Sequence, residues 1–125
     1  METIEENQQS FGIWKLDVVP ETEYEWKQQM KAEEIQLLDE WLAMLNTKVK
    51  RARSNNEEDM MSICTVIDRI HIICLNVDER AKVNSNIRSL YLKATHSRFL
   101  TSELAANIDE VIQVIQTIRI HWMNS

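Results

Sequence analysis

Glycine and proline are almost absent from this sequence, which contains one of each in 125 residues. With so little glycine, we do not expect sheets joined by tight turns, glycine-rich nucleotide-binding loops or strained catalytic loops. Cysteine is also scarce. The ten-residue spacing of Cys64 and Cys74 would put them about 15 Å apart along one helix, too far for a disulfide. They are predicted to be reduced, buried thiols.

A secretion signal and a membrane span are not predicted either. The first ten residues are acidic and polar, whereas a signal peptide has a basic start and then an apolar run. The longest apolar region, residues 63–77, is interrupted by charged and polar side chains, including Asp68 and Arg69. We therefore expect a nuclear or cytoplasmic protein in a reducing compartment, neither secreted nor in a membrane.

Charge is distributed unevenly around the net value of −6. Residues 1–46 contain eleven acids and three bases, whereas residues 47–56 contain four bases and no acid. A second basic stretch, residues 80–98, carries five bases before the next acid, Glu103. The whole chain is therefore not a general polyanion binder, although two local segments are basic.

Apolar residues recurring at intervals of three and four predict four helices. The four sets are Ile35, Leu38, Leu42, Leu45, Val49 and Ala52; Met60, Ile63, Ile67, Ile70, Cys74 and Val77; Val83, Ile87, Leu90 and Ala94; and Leu104, Ile108, Val111, Ile115, Ile118 and Trp122. Short connections predict antiparallel neighbours. The expected fold is all-α: an antiparallel bundle of about four helices in residues 20–125, preceded by an extended N-terminal arm in residues 1–19. A longer coiled-coil-like assembly shared with a partner is the alternative.

Capping residues predict where these helices begin. The sequence SNN at 54–56, followed by three acids, predicts the start of the second helix, and Thr101 predicts the start of the fourth. Asn76 and Glu79 have the spacing of a capping box and predict that the third helix begins near Asn76 or Asp78. In the first helix, Leu37, Trp41 and Met44 are expected to widen the apolar stripe.

The arm contains the sequence FGIWKLDVVP, in which apolar and polar residues alternate as in a strand. Two hypotheses are open for it: the arm packs on its own bundle, or it binds a groove or sheet edge of a partner. The residues predicted to bind the partner are Phe11, Ile13, Trp14, Leu16 and Val18.

The front of the first helix is the second predicted partner surface. Its apolar stripe begins only at Ile35, so Tyr24, Trp26 and Met30 would lie before the bundle and bind another protein. Alternatively, this helix begins later or breaks near Met30. The middle of the second helix is apolar nearly all round, which is typical of a helix that is central or covered by a partner.

The basic segments suggest phosphate contacts as an alternative function. Candidate residues for nucleic-acid binding are Lys48, Lys50, Arg51, Arg53, Arg80, Lys82, Arg88 and Lys93. Small polar neighbours such as Asn84 would support such contacts. The simpler interpretation is that these bases pair with acids of the first helix.

Residues for catalysis or for metal and cofactor binding are not predicted. His71, His96 and His121 lack metal-ligand spacing, and His71 with the two cysteines offers three ligands inside an apolar helix. Adjacent acids such as Asp109 and Glu110 point about 100° apart on a helix, so they do not form paired acid–base carboxylates. We expect a protein that is not an enzyme and has no cofactor.

Three segments, IDRIHII (67–73), IRSLYL (87–92) and FLTSEL (99–104), resemble the helical half of the GINS replication-complex subunits. The resemblance covers about sixty residues of common helix type, and the small β-domain of those subunits has no counterpart here. It implies a replication subunit and carries no functional residues across.

The predicted function is a non-catalytic protein-interaction subunit of a larger complex, nuclear and associated with chromatin or replication. Its partners would be other protein subunits, and a hetero-complex is favoured over a homo-oligomer. The alternatives are a nucleic-acid-binding helical protein using residues 48–53 and 80–98, a small viral or phage-type effector that masks a host protein, and the GINS-like subunit.

Overall fold

A computed structural model describes residues 22–124 of the chain. This part is all-α, with helices α1 (Glu23–Arg51), α2 (Glu57–Val77), α3 (Val83–Thr95) and α4 (Ser102–Met123), and it contains no strand. The predicted all-α, four-helix class is confirmed. The predicted arm, residues 1–19, lies outside the described residues.

Side-chain caps start α2 and α4 at the predicted places. The Asn56 side-chain oxygen accepts a hydrogen bond from the Asp59 amide at 2.9 Å, and the Thr101 hydroxyl accepts one from the Leu104 amide at 3.1 Å. Each cap satisfies an amide that has no partner inside the helix. Three acids in the first turn of α2 and three bases in the last turn of α1 complement the helix dipoles.

The start of α3 differs from the prediction. Helix α2 continues to Val77, and α3 begins only at Val83, without a side-chain cap. Asn76 is therefore the penultimate residue of α2, and the capping box does not form. Asp78 ends α2 instead: its amide donates to the Cys74 carbonyl at 3.0 Å. The sequence spacing of a capping box did not show that the second apolar stripe would remain helical past Asn76.

One hydrophobic core joins the four helices. Its buried members are Ile35, Leu38, Leu42, Leu45, Met60, Ile63, Val66, Ile67, Ile70, Ile73, Cys74, Val83, Ile87, Leu90, Ala94, Leu104, Ile108, Val111, Ile112, Ile115 and Trp122. Most residues of the predicted stripes are among them, while Val49, Ala52, Val77 and Ile118 are half-buried at its edge. Helix α2 contributes the most buried residues, as its nearly all-round apolar pattern predicted.

Polar contacts between helices show that neighbours run antiparallel. Arg98, just after α3, pairs with Glu57 at the start of α2. At the other end of α2, the indole nitrogen of Trp122, near the end of α4, donates to the Asp78 carboxylate at 3.3 Å. The end of α3 thus lies beside the start of α2, and the end of α4 lies beside the end of α2. This is the predicted up-down-up-down order.

By compactness the chain divides into two units, one ending at Met30 and the other comprising residues 31–125. The first unit is described from Thr22 and carries the first residues of α1. The second unit carries the rest of α1 and the whole of α2, α3 and α4. The hypothesis that the first helix starts later or breaks near Met30 is wrong, because the helix extends from Glu23 to Arg51.

Helix α2 is long and apolar enough to cross a membrane by length and composition alone. A core helix that is mostly buried passes the same test. In α2 the residues that face the core include Ile63, Ile67 and Ile70, each about fully buried. The composition of α2 is thus also that of a core helix in a bundle.

We predict that Asn56→Ala lowers the free energy of unfolding by about 1 kcal/mol, because it removes the cap of the helix on which the core is built. Urea denaturation followed by circular dichroism measures the change. Asn55→Gly is the matched control: Asn55 has a φ of 56°, which glycine also adopts, so this variant should unfold like the wild type. Equal losses in both variants would contradict the capping role.

Candidate protein-interaction surface

Large apolar side chains are exposed at the front of α1. Tyr24, Trp26 and Met30 are 68%, 47% and 58% exposed, and none of residues 22–34 is buried. The helix starts here because the Thr22 hydroxyl accepts a hydrogen bond from the Glu25 amide at 3.1 Å. Trp26 and Met30 are four residues apart and share one helix face. The other predicted partner residues, Phe11, Ile13, Trp14, Leu16 and Val18, lie outside the described residues.

A second apolar row on α1 also faces outward. Leu37 and Met44 are 42% and 43% exposed, and Trp41 between them is half-buried against the core. The second row thus widens the apolar stripe, but it adds only Trp41 to the packing against the core and leaves Leu37 and Met44 exposed. The buried stripe of α1 already covers the core, so side chains about 100° further around the helix point to solvent.

Helix α2 exposes apolar residues on its outer face. Met61, Ile72 and Leu75 are exposed, and Cys64 is half-buried among them. Because these residues recur at helical spacing, they share one side of α2, opposite its core-facing residues. Part of the apolar surface of α2 is thus exposed in the described chain.

The basic segment at the end of α1 is partly engaged by the protein itself. Arg53 contacts the Asp59 carboxylate through its backbone amide at 2.8 Å and its guanidinium at 3.1 Å. The side-chain hydrogen bond from Arg53 is the main cause that holds the pKa of Asp59 below its usual value. Lys50 and Arg51 are exposed, and Lys48 is half-buried. Three of the four candidate phosphate contacts are thus exposed, and one of these, Arg53, is paired with Asp59.

The second basic segment lies on other parts of the bundle. Arg80 and Lys82 are exposed in the turn after α2, while Arg53 contacts the start of the same helix. Because α2 has 21 residues, these two groups are about 30 Å apart. Arg88 and Lys93 are exposed on α3. The structure therefore does not bring the eight candidate bases into one patch.

Asn84, which was expected to support phosphate contacts, is buried. Its side-chain amide donates to the Asp78 carbonyl at 2.8 Å, and its side-chain oxygen has no partner in the described structure. Asn84 thus stabilises the turn between α2 and α3 from inside. The burial of Asn84 follows from its position next to Val83 on the inner face of α3.

Open grooves lie between neighbouring helices in the described part of the chain. A groove of about 890 Å³ lies between the end of α3 and the start of α4, with mainly polar walls that include Lys93, His96 and Glu103. A groove of about 600 Å³ lies between the end of α1 and the start of α2, and its walls include Met44, Lys48 and Arg51. Polar side chains dominate the first groove, whereas the second places an exposed methionine beside two bases.

Histidines and cysteines in the described residues form no group that could hold a metal ion. His96 and His121 are exposed, and His71 is half-buried. Both cysteines are free. Burial raises the pKa of the Cys74 thiol to about 12 and also raises the pKa of Cys64, which is less buried. A thiol with such a pKa carries almost no thiolate near neutral pH, so neither has the character of an activated nucleophile.

Comparisons with known proteins give no match: no family model, no curated protein and no solved structure is similar to this chain. The resemblance to the GINS subunits therefore rests on the three quoted segments alone. In the structure these segments lie in α2, in α3 and at the start of α4.

We predict that iodoacetamide at mildly alkaline pH leaves Cys74 unmodified in the folded protein, because the thiol is buried and its raised pKa suppresses the reactive thiolate. Cys64 should react slowly, and both cysteines should react in urea. Mass spectrometry of tryptic peptides measures the modified fraction at each site. Equal rates for Cys74 in folded and unfolded protein would show that the site is open.

Proposed function

We propose that this protein is a non-catalytic protein-interaction subunit of a larger complex. The observation that carries the proposal is the exposure of Tyr24, Trp26 and Met30 within one short part of α1. Aromatic residues and methionine are enriched in the centres of protein interfaces. A helix that presents them at positions i and i+4 fits a groove on a partner.

Charge supports this function. The exposed apolar side chains at the front of α1 lie among charged residues of both signs: the carboxylates include Glu23, Glu25 and Glu33, and the bases are Lys27 and Lys31. Polar and charged groups around an apolar centre are the usual rim of an interface and set the orientation of the partner. The partners would be other protein subunits, bound as a hetero-complex.

The location that fits this proposal is the nucleus or the cytoplasm, with chromatin or replication as the process. Its support is chemical: two free cysteines are typical of a reducing compartment, and basic residues such as Lys50 and Arg51 are exposed beside an otherwise acidic chain. A viral or phage-type effector that masks a host protein would use the same surfaces.

Nucleic-acid binding is the second candidate function. It is favoured by the exposure of Lys50, Arg51, Arg80 and Lys82. Against it, Arg53 is engaged by Asp59, and the two basic groups are separated by the length of α2. Such a distribution supports weak contacts with a phosphate backbone and no reading of base sequence.

We predict that Trp26→Ala with Met30→Ala abolishes the capture of partner proteins while the helical content and melting temperature stay those of the wild type. Neither side chain is buried, so truncation removes interface area without opening the core. The measurement is affinity purification of the tagged chain from its native cells with quantitative mass spectrometry. Gln29→Ala, an exposed neighbour, is the control.

A reproducible, stoichiometric set of proteins that is lost only in the Trp26 and Met30 variant would support the proposal. A wild-type chain that co-purifies with no protein would contradict it. Trp14→Ala with Leu16→Ala tests the predicted arm in the same assay: loss of partners with a folded bundle assigns binding to the arm, and an unfolded bundle assigns the arm to the core.

For the second function, we predict that the protein binds duplex DNA no tighter than on the order of 10–100 µM at physiological salt, with an affinity that falls steeply as salt rises. Lys50→Glu with Arg51→Glu should weaken this binding more than charge reversal of either Arg80 or Lys82, which lie at the other end of α2. Fluorescence anisotropy measures it. Submicromolar, salt-resistant binding would instead make nucleic acid the main ligand.

A further inference from the structure

One face of α1 carries an acid at one end, a base at the other end and apolar residues between them. Reading along the helix, Glu33 is followed by Leu37, then Trp41, then Met44 and finally Lys48. At 100° per residue these five residues fall within an arc of about 80°. The face is therefore acidic at one end, apolar in the middle and basic at the other end.

This face is separate from the one that packs in the bundle. The core-facing residues of α1, such as Ile35, Leu38 and Leu42, are buried, whereas Glu33, Leu37 and Met44 are exposed. Trp41, at the border of the two faces, is half-buried and packs against the core. Lys48 is half-buried but lines the open groove of about 600 Å³ together with Met44. The whole series belongs to the unit formed by residues 31–125, so it is part of one compact body.

Two copies of this face are complementary when the helices run antiparallel. If a second copy of α1 lies antiparallel, with the two-fold axis between positions 40 and 41, Glu33 faces Lys48 of the copy and Leu37 faces Met44 of the copy. Each contact then occurs twice, as two-fold symmetry requires. A parallel arrangement would instead place Glu33 on Glu33 and Lys48 on Lys48, which like charges disfavour.

We infer that this face of α1 binds a second copy of the same chain, with the two α1 helices antiparallel. The exposed Leu37 and Met44, 42% and 43% exposed in the single chain, are covered in the dimer, with the Trp41 side chains near the axis. The inference does not depend on the proposed function, because the residues at the front of α1 are not needed for it.

The size of the face sets the strength that is expected. From Glu33 to Lys48 the helix rises about 23 Å. One helix face of this length buries less surface area per chain than a standard protein–protein interface. Interfaces of this small size are weak, and a dissociation constant on the order of 10–100 µM is expected. The dimer would therefore form mainly in complexes that hold two copies of the chain close together, because these raise the effective concentration of the α1 face.

Charge reversal provides a sharp test by sedimentation equilibrium on the full, purified chain. Glu33→Lys gives a face with two bases, and Lys48→Glu gives a face with two acids. Each variant alone should dimerise about tenfold more weakly than the wild type, because the repulsion occurs twice in a two-fold dimer. An equimolar mixture of the two variants should recover dimers, since each base then faces an acid.

Lys50→Glu is the matched control: Lys50 is exposed two residues away on another side of α1, so the same charge change should leave the dimer constant unaltered. Leu37→Asp should abolish dimers, and circular dichroism checks that every variant remains folded. A wild-type chain that is monomeric at high micromolar concentration would overturn the inference. So would a mixture that fails to recover dimers, or a Lys50→Glu variant as weak as Lys48→Glu.

Discussion

The burial of α2 is the constraint on which the rest of this structure depends. This helix carries apolar residues on most of its circumference, and Ile63, Ile67 and Ile70 are almost completely removed from water. Burying one such side chain contributes about 1.5–3 kcal/mol, so the core-facing side of α2 strongly favours arrangements that cover it. The other three helices supply the apolar stripes that cover it, and the antiparallel order follows from connections too short to reverse it.

Polar contacts at the ends of the helices fix how these stripes meet. The Asp78 junction is the clearest case: its carbonyl accepts from Asn84, and its carboxylate accepts from the Trp122 indole and the Arg80 amide. One residue thus ends α2, positions α3 and holds the last turn of α4. Along α4, Arg119 makes two hydrogen bonds of 2.5 and 2.6 Å with Asp39 of α1. A bidentate pair of this kind, at a partly exposed site, fixes the geometry of the two helices more than it adds stability.

The surface side chains of the bundle are of two kinds: some pair with other segments of the chain, and others are apolar and exposed to solvent. Arg53, Arg98 and Arg119 pair with carboxylates of other segments. In contrast, Trp26, Met30, Leu37 and Met44 are exposed although each lies on a helix that also has a buried face. Exposed aromatic and sulfur-containing side chains at helical spacing are costly for a monomer and typical of interfaces. The proposed functions of α1 both rest on this difference.

The sequence by itself determined the helices, their caps at Asn56 and Thr101, and most of the core. Periodicity and capping depend on neighbours within one helical turn, so they can be read without knowing the fold. Only the tertiary structure showed the contacts between residues that are more than one helical turn apart in the sequence. Periodicity placed Leu38 in the main apolar stripe and Leu37 in a second apolar row, but it did not show that the second row would be left partly exposed: Leu38 is fully buried, whereas Leu37 is exposed. Likewise, the sequence did not show that Asn84 would bond to Asp78 or Arg53 to Asp59, because these contacts join residues six positions apart across the connecting turns.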